Sequence, residues 1–261
     1  KDLTKDFIKI AQALYRALDR RGVVQRTMLT VAVPADSPML LSSWVYDVTL
    51  PQISADINAA RNLWTQVQFA QPEPTATPEP EVTPPADAPT PEAPITTFSL
   101  AILTLEDESQ IALAQAIAEA WTQLGFLARV DAVDLETYTA RLDAGDFDAA
   151  LVELSTFGTA DPDVYAFWHQ GQYPDGKNYG GVDDRVTSEI LEQARRDPNG
   201  INRAALYSRF QREFITRALA VPLYYPIYSY AVAPAVNGVQ LGFVGAPPDR
   251  FKSIQDWTLN R

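Results

Sequence analysis

Cysteine is absent from this chain of 261 residues, and histidine occurs once, as His169. The first absence excludes disulfides, thiolate metal sites and cysteine nucleophiles. The second leaves His169 with no imidazole or thiol beside it, a poor metal site and a poor general base. Long apolar runs are also missing: nothing approaches the roughly 20 residues needed to span a bilayer. No charged segment followed by an apolar core opens the chain, so an export signal, if the protein carries one, is expected upstream of Lys1. Basic residues are scarce, 21 against 33 acidic, and the net charge of -12 repels phosphate backbones and anionic headgroups. Nucleic acid is therefore not an expected partner. A Gly-x-Ser-x-Gly elbow, a phosphate-cradling glycine loop, a His-Glu-x-x-His pair and a dinucleotide fingerprint are all lacking. Catalysis would fall to carboxylates alone, and a pair such as Asp146 and Asp148 reads as solvated turn residues. Neither an enzyme nor a cofactor is expected.

What is present begins with a segment that has nothing to bury. Residues 71–94 hold nine prolines, five carboxylates and a single large aliphatic, Val82. Proline fixes φ and removes donors, and like charges repel, so this stretch reads as a solvated linker or insertion. Before it, Thr4 is expected to cap a helix with Phe7, Ile10, Ala11, Leu14 and Leu18 on one stripe, closed by Arg20, Arg21 and Gly22. A second helix is expected from Ser54, with Ile57, Ala60, Trp64 and Val67 inward, and the segment from Val31 to Met39 reads as irregular or edge structure.

After the linker the order becomes strand, helix, strand: Phe98 to Leu105, a stripe from Ile111 to Leu124, then Phe126 to Val133. Asp134 caps a short helix with Leu135, Tyr138 and Leu142 inward, Gly145 ends it, and Asp148 to Leu154 is a third strand. Successive βαβ units predict an α/β fold with a parallel or mixed sheet flanked by helices. Helices over Asp184 to Arg196 and Ile201 to Ala218, separated by the stop signal Asp-Pro-Asn-Gly, precede a strand-like run from Val221 to Val232.

From Asp161 onward the chain reads DPDVYAFWHQGQ, KNYGGVDD, SEILEQARR and RAALYSRFQREFITRALAVPLYYPIYSYAV. Upstream stand IAQALYRALDRRGVV, ADINAARNLW and the long run from Gln115 to Leu151. In this order the set resembles family 5 of the bacterial solute-binding proteins, the oligopeptide-, dipeptide- and nickel-binding proteins of ABC importers. The resemblance implies a two-lobed periplasmic-binding-protein fold of type II, with residues 1–70 opening the second lobe, 95–232 forming its α/β body and 233–261 returning toward the first. It implies a fragment lacking most of the first lobe, a small peptide-like solute as ligand, a membrane permease as partner, a monomer, and an extracytoplasmic location with a lipid anchor in an absent N-terminal segment. The long linker departs from the family, whose members have a short turn there. A degenerate module serving surface interaction or sensing is the alternative.

The same resemblance places the loop after the third strand at the ligand cleft, where an acidic residue can hold a ligand ammonium by a charge-assisted hydrogen bond. Asp161 and Asp163 are the candidates. Relatives carry a tryptophan and an earlier acidic residue where this chain has Ser155 to Ala160, so the alternative stays open that Asp161 opens a turn with Pro162 and Asp163 caps the next helix. Phe157, Tyr165, Phe167, Trp168 and Tyr179 are candidates for an aromatic wall, Phe157 and Trp168 first among them. Asn178 and Tyr179 resemble an Asn-Tyr step at the cleft edge, where a loop-fixing hydrogen bond is the other reading.

Overall fold

A computed structural model describes residues 3–28, 32–67, 98–155, 161–227, 229–242 and 247–260. The 71–94 linker and Phe157 lie outside the described residues.

The chain opens with α1 (Leu3–Ala17), which already includes Thr4, so Thr4 does not precede the helix as its cap. The expected stripe holds at Leu14 and Leu18 and fails at Phe7. Phe7 is exposed, while Ala13, Tyr15 and Leu18 are buried. Arg20, Arg21 and Gly22 do not close this helix; they begin a second one, α2 (Arg20–Thr27), because the Asp19 carboxylate accepts the Gly22 N–H at 3.0 Å and starts a new turn. A Cβ at position 22 would stand 2.1 Å from an Asp19 oxygen, so any other residue would displace the capping carboxylate. The break between the helices turns the Arg20 side chain inward, where it is buried and donates to the carbonyls of Ala35, Ile53 and Pro222.

Next come β1 (Ala32–Pro34) and α3 (Ile57–Thr65), the latter capped by Asp56, two residues beyond the expected start at Ser54. The βαβ run consists of β2 (Ser99–Leu105), α4 (Glu108–Thr122), β3 (Leu127–Val133), α5 (Leu135–Ala144) and β4 (Ala149–Ala150). The three strands form a parallel sheet in the order β3-β2-β4, with Ser99 opposite Leu127, Leu105 opposite Val133 and Ile102 opposite Ala149. The central strand β2 is buried along almost its whole length; β3, at an edge, has no fully buried residue. Asp134 and Gly145 cap α5 as expected, with Tyr138 and Leu142 buried and Leu135 exposed.

The third strand is shorter than Asp148 to Leu154. It ends at Ala150, and at its amino end the Asp148 side chain, not the main chain, accepts the Ala101 N–H at 2.9 Å. Asp146 pairs with Arg141 at 3.3 Å. Both carboxylates singled out in the Gly-Asp-Phe-Asp segment thus serve local structure.

Beyond the sheet lie α6 (Tyr165–Trp168), α7 (Arg185–Arg196) and α8 (Gly200–Arg217), with Asp184 and Asn199 as the caps of the two long helices. The run from Val221 contributes only β5 (Tyr224–Pro226), antiparallel to β1, because Pro222 and Pro226 have no N–H to continue a ladder. β6 (Val236–Asn237) pairs with β7 (Thr258–Leu259) near the end.

Two large apolar clusters hold these elements, and a small third one, Leu103, Tyr138 and Leu142, seats α5 on the sheet with Tyr179 packed against it. One joins β2 and α4 to α1, α2 and α3 through Ile102, Leu113, Ile117 and Trp121. The other packs α7 and α8 against Phe167, Trp168 and the segment around Met39 and Val45. Gln211 of α8, fully buried, receives the Ser37 hydroxyl and the Asp47 N–H and donates to the Val45 and Tyr207 carbonyls.

Candidate functional site

The chain leaving the carboxyl end of β4 opens onto a cavity of about 740 Å³. Ser155, Asp161, Asp163 and Phe167 line one side, and Gln172, Asp175, Gly176, Lys177 and Tyr179 line the turn beyond α6. Asp143, at the end of α5, completes the rim. In parallel α/β sheets the space outside the carboxyl ends of the strands is where ligands bind, since loops from successive units converge there.

Asp161 precedes Pro162, which biases it to an extended backbone. Its Oδ1 accepts the Asp163 N–H at 3.1 Å and the Arg203 Nη2 donor at 2.8 Å. Asp163 offers Oδ1 to the Tyr165 N–H at 3.0 Å, at the entry to α6, and Oδ2 to Arg195 Nε at 2.7 Å. The two candidate anchors thus face the cavity and are each held from behind by an arginine, one from α8 and one from α7. Tyr165 lies beneath Arg195, 4.2 Å from guanidinium carbon to ring centroid.

The aromatic candidates separate. Phe167 and Tyr179 line the cavity, Phe167 being at the same time part of the second apolar cluster, whereas Trp168 lies in that cluster away from the cavity, edge-on to Phe214 with ring centroids 4.7 Å apart. Burial, together with the charge of Asp143, pushes the Tyr179 hydroxyl above its ordinary range. Asn178 is also behind the wall. It is 1% exposed, donates to the Val182 and His169 carbonyls and accepts the Val182 N–H at 2.9 Å, so it ties both ends of the loop that carries Lys177 and Tyr179. Asp143, Gln172, Asp175 and Lys177 were not singled out from the sequence. Their one sequence signal is position, Lys177 standing directly before the Asn-Tyr step.

The site combines two aromatic faces with several carboxylates, one ammonium and an amide around an open space, an arrangement that holds a small solute by mixed apolar and polar contact.

Residues 2–176 match the family described as bacterial extracellular solute-binding proteins, family 5, middle region. A dipeptide-binding protein of Pseudomonas aeruginosa is 20% identical over 237 residues, which are 90% of this chain and 40% of that protein. Among solved structures, the oligopeptide-binding protein AppA of Bacillus subtilis, in complex with a nonapeptide, superposes with a TM-score of 0.72 at 19% identity, over 97% of this chain and 48% of its own. DppA of Helicobacter pylori, in complex with the peptide STSA, gives 0.74 at 19% identity, over 100% of this chain and 45% of its own. The chain therefore spans less than half the length of these relatives. With the family match extending over more than half of its residues, the chain belongs to the bacterial extracellular solute-binding proteins of family 5.

Proposed function

We propose that the chain supplies one wall of the solute cleft in an extracytoplasmic binding protein that serves an ABC importer of peptide-like solutes, and that the cavity between Asp161 and Tyr179 is this wall. The cavity carries the proposal: the chain leaving β4 reaches it at Ser155, and it joins the Phe167 and Tyr179 rings to carboxylates and an ammonium. Two of the relatives are named peptide-binding proteins and a third, a periplasmic binding protein, holds a peptide, which supports the solute class. Their greater length supports an opposite wall built by other residues. Asp161 and Asp163 form the acidic rim, and Asn178 and Trp168 keep the wall in shape.

Calorimetry with tetra-alanine on the full-length natural protein tests this. Tyr179→Ala should weaken binding about tenfold, the effect of removing an aromatic contact from a site. The 261-residue chain alone should bind at least about tenfold more weakly than the whole, because one wall leaves the ligand mostly in water. Full affinity in Tyr179→Ala would sink the assignment of the cavity. The arginine pairing of both rim carboxylates favours a second reading, in which the module no longer captures solutes and serves surface interaction or sensing. Under that reading no peptide is bound at any concentration up to the millimolar range.

A further inference from the structure

His169 is the chain's single histidine, buried to 8% exposure, and it stands at the entry of the turn that forms one side of the cavity. Its Nδ1 accepts the Gly171 N–H at 3.0 Å, which requires that nitrogen to carry no proton. The ring hydrogen is therefore on Nε2, directed at the Glu192 carboxylate 3.1 Å away. This nitrogen assignment follows from the hydrogen bonds: a backbone N–H has only donor character. A Cβ at position 171 would press on the ring, 3.1 Å from both Nδ1 and Cε1, so glycine lets the chain approach the imidazole closely. The Gln172 N–H reaches the His169 carbonyl at 2.9 Å, and the Asn178 amide donates to that carbonyl as well. Gln172 and residues 175–177 then face the cavity.

We propose that His169 is a proton-sensitive fastener of this turn: a proton taken from solvent onto Nδ1 places an N–H against the Gly171 N–H and releases the turn from the ring. The charged groups around the ring define what happens to the imidazolium. Glu192 of α7 faces Nε2 and attracts it; Arg185, also bonded to Glu192 at 2.9 Å, and Arg196 at 3.7 Å share the same carboxylate and offset that attraction, with Glu189 in turn paired to Arg185. On the opposite face Tyr165 stacks on the ring with centroids 4.0 Å apart, and Arg195 lies on the far side of Tyr165. Glu192 therefore retains the ring while Nδ1 lets go of Gly171, so protonation moves the turn and leaves the ring in place. The same stack leads from His169 through Tyr165 and Arg195 to Asp163 on the cavity rim. The fastening does not depend on what the cavity holds; its consequence, weaker solute retention in acid, rests on the function proposed above.

The experiment is nitrogen NMR of the full-length protein labelled at histidine and glycine, titrated from about pH 8 to about pH 5, the interval in which histidine charge changes. At the upper end Nε2 should carry the ring hydrogen, and on acidification the Gly171 amide should shift with the same midpoint as the His169 ring while its hydrogen exchange, corrected for pH, rises roughly three- to tenfold, the loss of one hydrogen bond. In His169→Asn, whose side-chain oxygen accepts the Gly171 N–H at every pH, the amide should stay still. A ring hydrogen on Nδ1 at pH 8, a ring that does not titrate, or a Gly171 signal that ignores the ring overturns the proposal. If His169→Asn does not fold, Glu192→Gln decides: ring and Gly171 midpoints must fall together, and separate movement overturns it. Tetra-alanine affinity read at both ends of the titration separates the two levels. Absence of binding at either pH counts against the solute site, whereas pH-independent binding with a titrating Gly171 counts only against the release step.

Discussion

Arg203 Nη2 lies 2.8 Å from Asp161 Oδ1, and the same oxygen accepts the Asp163 N–H. One carboxylate atom therefore joins α8 to the turn that follows the cavity rim. The Asp161 side chain is half exposed, which limits the value of its charge. Asp161→Asn keeps an acceptor for the turn and should cost less than about 1 kcal/mol, whereas Asp161→Ala, losing both roles, should cost about 1 to 2 kcal/mol. Urea denaturation of the two variants checks the difference. An Asp161→Asn protein as unstable as Asp161→Ala would mean that the charge, and not the turn, dominates.

Asn178→Asp is a change of one side-chain group with a large expected effect. The carboxylate still accepts the Val182 N–H but cannot donate to the Val182 and His169 carbonyls, and it is buried. A loss of about 2 to 4 kcal/mol is expected from the orphaned Val182 carbonyl and a desolvated charge, the His169 carbonyl keeping the Gln172 N–H. Chemical denaturation measures it, and a proteolysis time course should show cleavage shifting into residues 170–183.

Arg20→Met tests the buried guanidinium that gathers three segments. Its removal leaves the Ala35, Ile53 and Pro222 carbonyls without this donor, and the expected cost is about 3 kcal/mol or more. A midpoint of denaturation shifted by less than a third of that would show that water replaces the guanidinium at little cost.

Acid sensitivity should centre on Asp47. Burial alone would raise its carboxyl, but the Thr49 and Ser208 hydroxyls, the Thr49 N–H and the Arg212 guanidinium outweigh burial and hold it at about 2, below its ordinary 3.8. A carboxyl depressed in the folded state stabilises above its unfolded value, and that contribution is lost as pH falls from about 4 through about 2. The loss should be about 1 to 2 kcal/mol, reduced from the full shift by the solvent around Arg212. Asp47→Asn should flatten the stability profile over this interval in a series of denaturation curves; an unchanged slope would remove Asp47 from the account.

Most of the fold was legible because short-range chemistry repeats. Asp134, Asp184 and Asn199 announce their helices, Gly145 ends one, and the alternation of apolar strand and amphipathic helix from Phe98 to Leu154 specifies a parallel sheet. The errors lie where a side chain competes with the main chain. Asp19 restarts a helix that Arg20 and Gly22 were expected to close, and Asp148 takes a ladder donor at the amino end of β4. At the site, the sequence pointed to Asp161, Asp163 and Tyr179, which share the cavity, and also to Trp168 and Asn178, which stand behind it.

The sequence by itself determined the class of the fold, the lack of thiol and clustered imidazole chemistry, and the resemblance to family 5, because composition, periodicity and ordered motifs are properties of the chain. Only the tertiary structure decided which aromatic rings reach the cavity, since Phe167 and Trp168 are neighbours in sequence and share the second apolar cluster, yet about 100° of helical rotation brings Phe167 and not Trp168 to the cavity lining. It also decided the partners of the two rim carboxylates. Arg195 and Arg203 lie 32 and 42 residues away from Asp163 and Asp161, and no local pattern relates groups that meet only when α7 and α8 pack against the segment around α6.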